Sequence, residues 1–194
     1  MRYTKVPESL FDEIQMNAGI LLSKFTPDTG AFDAADQIGA TTGGVTFAVT
    51  HTYTDLGDDV DNCPKNMMEL KRLDGTEVKL SGTFITANTR TAKMLAAAAD
   101  IDTKDTSKIV PRTALKDTDF TDLWLVGDYG SNNGETTGGR IAIHVLNALS
   151  TGGFSLKTSD EAKGQFAFEF TGHTSIESQD VVPYEIYIAA GSGE

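Results

Sequence analysis

The chain has 194 residues, of which 39% are hydrophobic and 23% are charged, and its formal net charge at pH 7 is −12. This length and ordinary composition predict one folded domain with its own core. Nucleic-acid binding depends mainly on neutralising phosphates with Lys and Arg, so the excess of acid argues against a protein that grips DNA or an anionic membrane. The acid either keeps the protein soluble or forms a surface that repels phosphate and lets DNA slide past.

Cysteine content and apolar runs exclude further classes. The single cysteine, Cys63, rules out an internal disulfide and any zinc site that needs two cysteines from one chain. No apolar run approaches the length of a membrane-spanning helix, and the N-terminal sequence lacks the continuous apolar core of a signal peptide. We therefore expect a protein that is made in the cytoplasm and has no membrane partner.

The first 43 residues show no sustained hydrophobic period. Residues 10–22 fit either a short helix or an arm that ends in a strand. The segment 26–30 is typical of a turn, because Pro27 fixes φ and Gly30 tolerates a positive φ. We expect residues 1–43, approximately, to form an N-terminal arm that neighbouring copies order.

A period of two begins at Gly44. Residues 44–53 alternate β-branched or aromatic residues with Thr and Ala, which predicts a strand, and residues 77–86 predict a second one. The segment 89–99 predicts the one helix, because it is rich in alanine and follows Asn88, a good N-cap. The polar segment 100–122 is predicted to be a long loop.

The C-terminal third continues in strands. Residues 123–129 and 140–149 flank a segment rich in Gly, Asn and Ser, 130–139, which predicts an exposed hairpin tip. In the strands near 165–170 and 182–188 the apolar residues again alternate, and the aromatic face of the first is predicted to be core. About seven strands and one helix, without βαβ alternation, predict a mainly β fold: an antiparallel β-sandwich or barrel with one flanking α-helix in a single domain.

An acidic run lies in the loop between the first two long strands. Its four aspartates are Asp55, Asp58, Asp59 and Asp61. An EF-hand calcium loop needs glycine at its sixth position and glutamate at its twelfth, where this chain has Val60 and Asn66. A solvated turn that faces a neighbouring subunit is the favoured interpretation, and a looser calcium site is the alternative.

The usual catalytic patterns do not occur. The three histidines, His51, His144 and His173, lie far apart without the spacing of metal ligands. No nucleophile elbow or phosphate-binding glycine loop appears, and Cys63 has no identifiable histidine partner. We therefore predict a protein that is not an enzyme and needs no cofactor.

Most of the chain resembles one family. The segments 41–86, 109–129 and 138–188 are similar to the major tail proteins, or tail tube proteins, of long-tailed bacteriophages and prophages of Gram-positive hosts. The opening segment, PESLFDEIQMNAGILLSKFTPDTG, also fits this family. The most specific phrases are NALSTGGF, KGQFAFEFTGH and VPYEIYI.

The resemblance implies a fold shared with tail tube proteins and with the tube protein of type VI secretion. It implies hexameric rings whose inner strands form one continuous barrel, stacked into a tube through which DNA leaves the capsid without specific binding. It also implies a place in the virion and the tape measure, tail tip and terminator proteins as partners. The resemblance supplies no catalytic residues.

Strand phase offers two alternatives for the face that lines the lumen. One strand presents Glu77 and Lys79 on its polar face, and another presents Arg140 and His144. For ring stacking, the candidates are the acidic loop 55–62 and the loop 130–139, which contains Asn132 and Asn133.

Other protein classes compete with this interpretation. A capsid decoration or tail-completion protein with a similar sandwich would not polymerise alone. A carbohydrate-binding or calcium-binding β-sandwich module would act as a monomer. A hydrolase is disfavoured because no nucleophile–base pattern is present.

Overall fold

The structure is a computed structural model that describes residues 6, 10, 13–15, 17–130 and 139–190. Within these residues the chain forms eleven strands and one α-helix. The elements are β1 (Ile20–Leu22), β2 (Gln37–Gly39), β3 (Thr41–Asp55), β4 (Lys71–Phe84), α1 (Thr89–Ala96), β5 (Ala99–Ile101), β6 (Ile109–Pro111), β7 (Thr121–Tyr129), β8 (Gly139–Ser150), β9 (Ser155–Lys157), β10 (Gln165–Thr171) and β11 (Tyr184–Ala189).

Nine of the strands form two antiparallel sheets that share β8, and β5 and β6 form a separate two-stranded sheet. The first sheet has the order β2-β1-β7-β8-β11. The second sheet has the order β3-β4-β10, and β10 pairs on its other edge with β9 and with the last residues of β8. The predicted antiparallel sandwich with one flanking helix is therefore confirmed.

A bend at Asn147 carries β8 from one sheet to the other. Residues 140–145 pair with β11, whereas Leu149 and Ser150 pair with β10. Asn147 has a φ of 46°, its main-chain N–H donates to Asp122, and its side-chain amide donates to the carbonyl of His173. Asparagine tolerates this left-handed conformation better than most residues, which fits it to a position where pairing changes.

The core lies between the two sheets. The first sheet contributes residues such as Leu21, Leu123 and Val145, and the second contributes Val78, Leu80, Phe84, Phe168 and Phe170. The rings of Phe84 and Phe168 lie 4.3 Å apart between centroids. The aromatic face of β10, predicted from alternation alone, is buried at Phe168 and Phe170 and partly buried at Phe166.

Helix α1 covers one end of the core. The side chain of Asn88 accepts a hydrogen bond from the N–H of Thr91, so the predicted N-cap is confirmed. Leu95 is fully buried. The helix ends at Ala96 rather than at Ala99, because Ala97 turns to a φ of 55° and the chain then enters β5. Pairing with β6 outweighs the helix propensity of the last alanines, which is small for each residue.

The segment 100–122, expected to be a loop, has structure of its own. Strands β5 and β6 pair within it, and a short 3-10 turn spans Asp117–Asp119. Arg112 fastens the segment by donating from Nη2 to both oxygens of Asp119, at 2.5 and 2.8 Å, while its Nε lies 2.8 Å from Asp100.

Residues 17–43, expected within the N-terminal arm, belong to the sandwich. Strands β1 and β2 extend the first sheet next to β7, so the strand alternative for the segment 10–22 holds at Ile20–Leu22. The turn predicted at 26–30 is present, with a bridge between Thr26 and Ala31.

Candidate assembly surfaces

The outer face of the second sheet is polar and faces solvent. Glu77 and Lys79 lie on it because the residues that alternate with them on β4, Val78 and Leu80, face the core. Their neighbours across the sheet are small or polar as well. On this face of β4, Thr50 opposes Glu77, and Ala48 and Thr171 oppose Lys79. The next two residues of the face, Ser81 and Thr83, are opposed by Thr46, Glu169 and Ala167.

Charges on this face are balanced. The part of the second sheet that covers the core comprises residues 41–52, 75–84, 155–157 and 165–171. It carries two acidic residues, Glu77 and Glu169, and two basic residues, Lys79 and Lys157. The ammonium of Lys79 lies 3.1 Å from Glu77 and 4.0 Å from Glu169. The hydrogen bond to Glu77, with the charges of both glutamates, raises the pKa of Lys79. Such exposed pairs add little stability, but they offset the charge of the lysine.

Arg140 and His144 lie on the opposite side of the molecule, on the outer face of the first sheet. Arg140 donates from Nη2 to the carbonyls of Pro27 and Asp28, at 2.7 and 2.8 Å. His144 stacks on Trp124 with 3.9 Å between ring centroids. The two alternatives for the lumen therefore belong to different sheets, and one channel cannot be lined by both.

His144 is packed between two carboxylates. Its Nδ1 lies 3.4 Å from Glu185 and its Nε2 lies 3.4 Å from Asp122, and the side chain is 12% exposed. Hydrogen bonds from Tyr187 and His144 lower the pKa of Glu185. This cluster joins β7, β8 and β11, so its contacts have a structural use within the first sheet.

The four aspartates of the acidic loop do not converge on one site. Asp55 is half-buried and turned inwards, where its carboxylate accepts the N–H groups of Asn66 and Gly57 at 2.8 and 3.0 Å. These two bonds lower its pKa. Asp58 forms an exposed pair with Lys65, and Asp59 and Asp61 are exposed. Over the residues that the structure describes, no group of three or more His, Cys, Asp or Glu side chains is placed to hold a metal ion.

The hairpin of β3 and β4 extends beyond the core. The inner face that begins with Phe47 and Val49 continues through His51 to Tyr53 and Leu73, which are 54% and 51% exposed. Further apolar side chains are exposed at the tip: Leu56, Val60, Met67 and Met68. This surface was not predicted, because the strands expected from the sequence covered only residues 44–53 and 77–86. In the structure β3 and β4 have 15 and 14 residues, against seven in β10, so the hairpin extends past its neighbour.

Several strand edges are open. Among the described residues β3 pairs only with β4, β9 only with β10, and β11 only with β8. Their outer edges carry main-chain donors and acceptors that can pair with another strand. Sequence analysis did not identify these edges, because strand order is not visible in a local pattern.

The second candidate loop lies largely outside the described residues. Asn132 and Asn133 are among the residues that the structure leaves out. The strands that flank them, β7 and β8, pair antiparallel up to Tyr129 and Gly139, as expected for a hairpin.

Comparison with known proteins gives no family for this chain. No protein-family model matches it, and no curated protein matches it. No helix in the described part of the chain is long and apolar enough to cross a membrane.

Proposed function

We propose that the chain is a structural subunit of a phage or prophage tail tube, which assembles into stacked, hexameric rings that conduct DNA during ejection. Two observations support the proposal. The segments 41–86, 109–129 and 138–188 resemble tail tube proteins, and the antiparallel sandwich with one helix is the fold that this resemblance implies. The observation that carries most weight is the second sheet, with its polar, charge-balanced outer face and its open edges.

Ring closure would use the two edges of the second sheet. The edge of β3 in one copy would pair with the β9 edge in the next, so that the sheet continues around the ring. Such a head-to-tail contact uses two different surfaces of each subunit and closes when the rotation between copies permits. It would also remove the unpaired edges that otherwise invite uncontrolled aggregation.

The outer face of the second sheet would line the lumen, with Glu77 and Lys79 in its central strand. DNA binding gains free energy when basic side chains replace the counterions of phosphates. Lys79 offers little of that gain, because Glu77 and Glu169 already lie beside its ammonium group. A surface of Thr, Ser, Ala and paired charges would let the polyanion pass.

Ring stacking would use the projecting end of the β3–β4 hairpin. Its apolar residues, such as Tyr53 and Leu73, are exposed, and the exposed aspartates Asp58, Asp59 and Asp61 lie in the loop that joins the two strands. Contiguous exposed apolar groups with a polar rim mark interaction sites. The loop 130–139 stays a second candidate on sequence grounds.

In the virion the tube would meet the tape measure, tail tip and terminator proteins.

Negative-stain electron microscopy over a concentration series, with the mass in solution measured on the same samples, tests the proposal. We expect rings or hollow tubes of uniform width that increase with concentration. A monomer at every concentration would contradict self-assembly and would favour a capsid decoration or tail-completion protein, or a monomeric binding module.

A further inference from the structure

An apolar slot opens between the two sheets next to their free edges. The rings of Phe47 on β3 and Tyr184 on β11 touch, with 5.7 Å between centroids. Beside this contact lies a cavity of about 320 Å³. Its apolar lining comes from both sheets: Val45, Phe47, Leu125, Ile141 and Ile143.

The rim of the slot is apolar and exposed. Ile186 and Ile188 on β11 directly oppose Ile143 and Ile141 on β8, so they lie on the same inner face of the first sheet. They are 49% and 59% exposed. Apolar surface that faces inward but stays in contact with water favours an occupant that covers it.

The free edges indicate what kind of occupant fits. Ring pairing would occupy the edge of β3, but β11 also has one edge without a strand partner among the described residues. A peptide segment can satisfy main-chain groups at such an edge and place its apolar side chains in the slot. A segment of polypeptide therefore fits this surface better than a small ligand does.

The N-terminal segment of the chain leaves the sandwich beside the slot, at Gln15 and Asn17. Gln15 and Asn17 line the same cavity, and a bridge between Gln15 and Tyr129 fixes the segment there. The carbonyl of Ile14 accepts the N–H of Gly130 at 2.9 Å. From Ile14, which stays on its own copy, the four residue steps to Leu10 span at most about 14 Å, so Leu10 reaches a second copy whose slot lies next to the first.

This segment carries apolar side chains that its own copy leaves exposed. Val6, Leu10 and Ile14 recur at every fourth position and are 57%, 50% and 39% exposed. The slot and the apolar side chains thus stand uncovered in the same molecule, close to one another. Docking on a second copy would cover both sets.

We propose that the segment of one copy that carries Val6 and Leu10 docks in the slot between β3 and β11 of a second copy, with Leu10 against Ile186 and Ile188. The partner is a second copy of this chain, recognised by apolar side chains and by the edge of β11. The inference rests on the proposed tail tube only in requiring neighbouring copies, and it names a contact different from ring pairing and from hairpin stacking.

Disulfide trapping between two differently labelled proteins tests the proposal. In a Cys63→Ser background, one protein carries Leu10→Cys and the other, of distinguishable mass, carries Ile188→Cys. We expect the mixed disulfide to form at least about tenfold faster than in a control pair, because docking raises the local concentration of the two thiols. The control pair joins Leu10→Cys with Ile176→Cys, whose position is 85% exposed on the loop after β10.

Equal rates for the two pairs would overturn the proposal. So would a 10–188 disulfide that forms only inside a chain carrying both cysteines, because the segment would then occupy its own slot. Leu10→Asp supplies an independent readout: we expect self-association about tenfold weaker, whereas Ile176→Asp should have no effect. Leu10 is half-exposed, so this substitution leaves the fold intact.

Electron microscopy of the same samples separates this inference from the proposed function. Tubes that form without a selective 10–188 disulfide would contradict segment docking alone. A selective disulfide in samples without rings or tubes would contradict the tail tube and leave segment docking supported.

Discussion

Arg112 and Asp119 form the most enclosed ion pair in the described part of the chain. The Asp119 side chain is fully buried and that of Arg112 is 16% exposed. Burial alone would raise the pKa of Asp119, but the hydrogen bonds from Arg112 and from the N–H of Lys116 outweigh it and lower the pKa. Asp119 therefore binds protons less readily in the folded chain than in the unfolded chain, so ionised Asp119 stabilises the fold.

We predict that Asp119→Asn lowers the free energy of unfolding by about 2 kcal/mol at pH 7, because it removes one partner of a partly buried ion pair. A carboxyl with a lowered pKa contributes fully above its unfolded value, about pH 4, and loses its contribution as the pH falls through the folded value. Urea unfolding of both proteins at pH 7 and pH 3 checks this. Asp117→Asn, an exposed neighbour, is the control, and a deficit that stays constant down to pH 3 would contradict the prediction.

Sequence patterns located charged residues better than they located the partners of those residues. Alternation placed Glu77 and Lys79 on the polar face of a strand, as the structure has them. The second partner of Lys79, Glu169, lies on another strand, and only sheet order brings the two together. The four aspartates of the acidic loop are similar in sequence, yet Asp55 turns inwards to bind main-chain N–H groups.

Among the elements, β4 lies in close contact with its neighbours in the second sheet at Gly82. A Cβ at Gly82 would lie 2.7 Å from the ring of Phe168 and 3.1 Å from the carbonyl oxygen of Gly44. Phe168 is itself buried against Phe84, so the ring has little room to move. Gly82 therefore allows β4 and β10 to pair with the aromatic core intact.

We predict that Gly82→Ala lowers the free energy of unfolding by about 1–3 kcal/mol, the usual range for adding volume to a packed core. Gly75→Ala on the same strand is the matched control, because no heavy atom lies within 4 Å of a Cβ there. Thermal or urea unfolding of the two variants measures the difference. Equal stability of the two would show that Phe168 moves aside at no cost.

Long strands were predictable and short ones were not. The period of two predicted β3, β4, β7, β8, β10 and β11, because each is long enough to show alternation. The three-residue strands β1, β2, β5, β6 and β9 show no period and exist because a longer strand or a partner strand pairs with them. The end of α1 was misplaced for a similar reason, since pairing of β5 with β6 decides it.

At the scale of the whole molecule, the projecting hairpin is the feature that assembly would use. We predict that the double substitution Tyr53→Ser and Leu73→Ser leaves the melting temperature of the monomer unchanged but shortens or abolishes tubes, because both side chains are about half exposed. Charge reversal at Asp58 and Asp59 should also change tube length. Electron microscopy measures both effects, with Ile176→Ser as the control.

Tubes of unchanged length and yield in both hairpin variants would remove this surface from ring stacking. The test is selective because the hairpin end lies beyond the core, so its side chains contribute little to the stability of one chain. A drop in melting temperature would instead show that the hairpin packs on its own sandwich.

The arrangement of the sheets was the least predictable level. Strand β1 pairs with β7, which is about a hundred residues further along the chain, and β4 pairs with β10 across a similar gap. Alternation shows which face of a strand is apolar, but it does not show which strands lie side by side. The open edges of β3, β9 and β11 follow from that order alone, so these candidate contacts needed the structure.

The bend of β8 at Asn147 also has a mechanical consequence. One covalent strand passes through both sheets, so a force that pulls on the second sheet reaches the first along the backbone as well as through packed side chains. Close-packed interiors already transmit strain with little compression. The two layers of the sandwich are therefore expected to bear load together. Sliding one past the other would first require β8 to lose its pairing with β10, or its pairing with both β7 and β11.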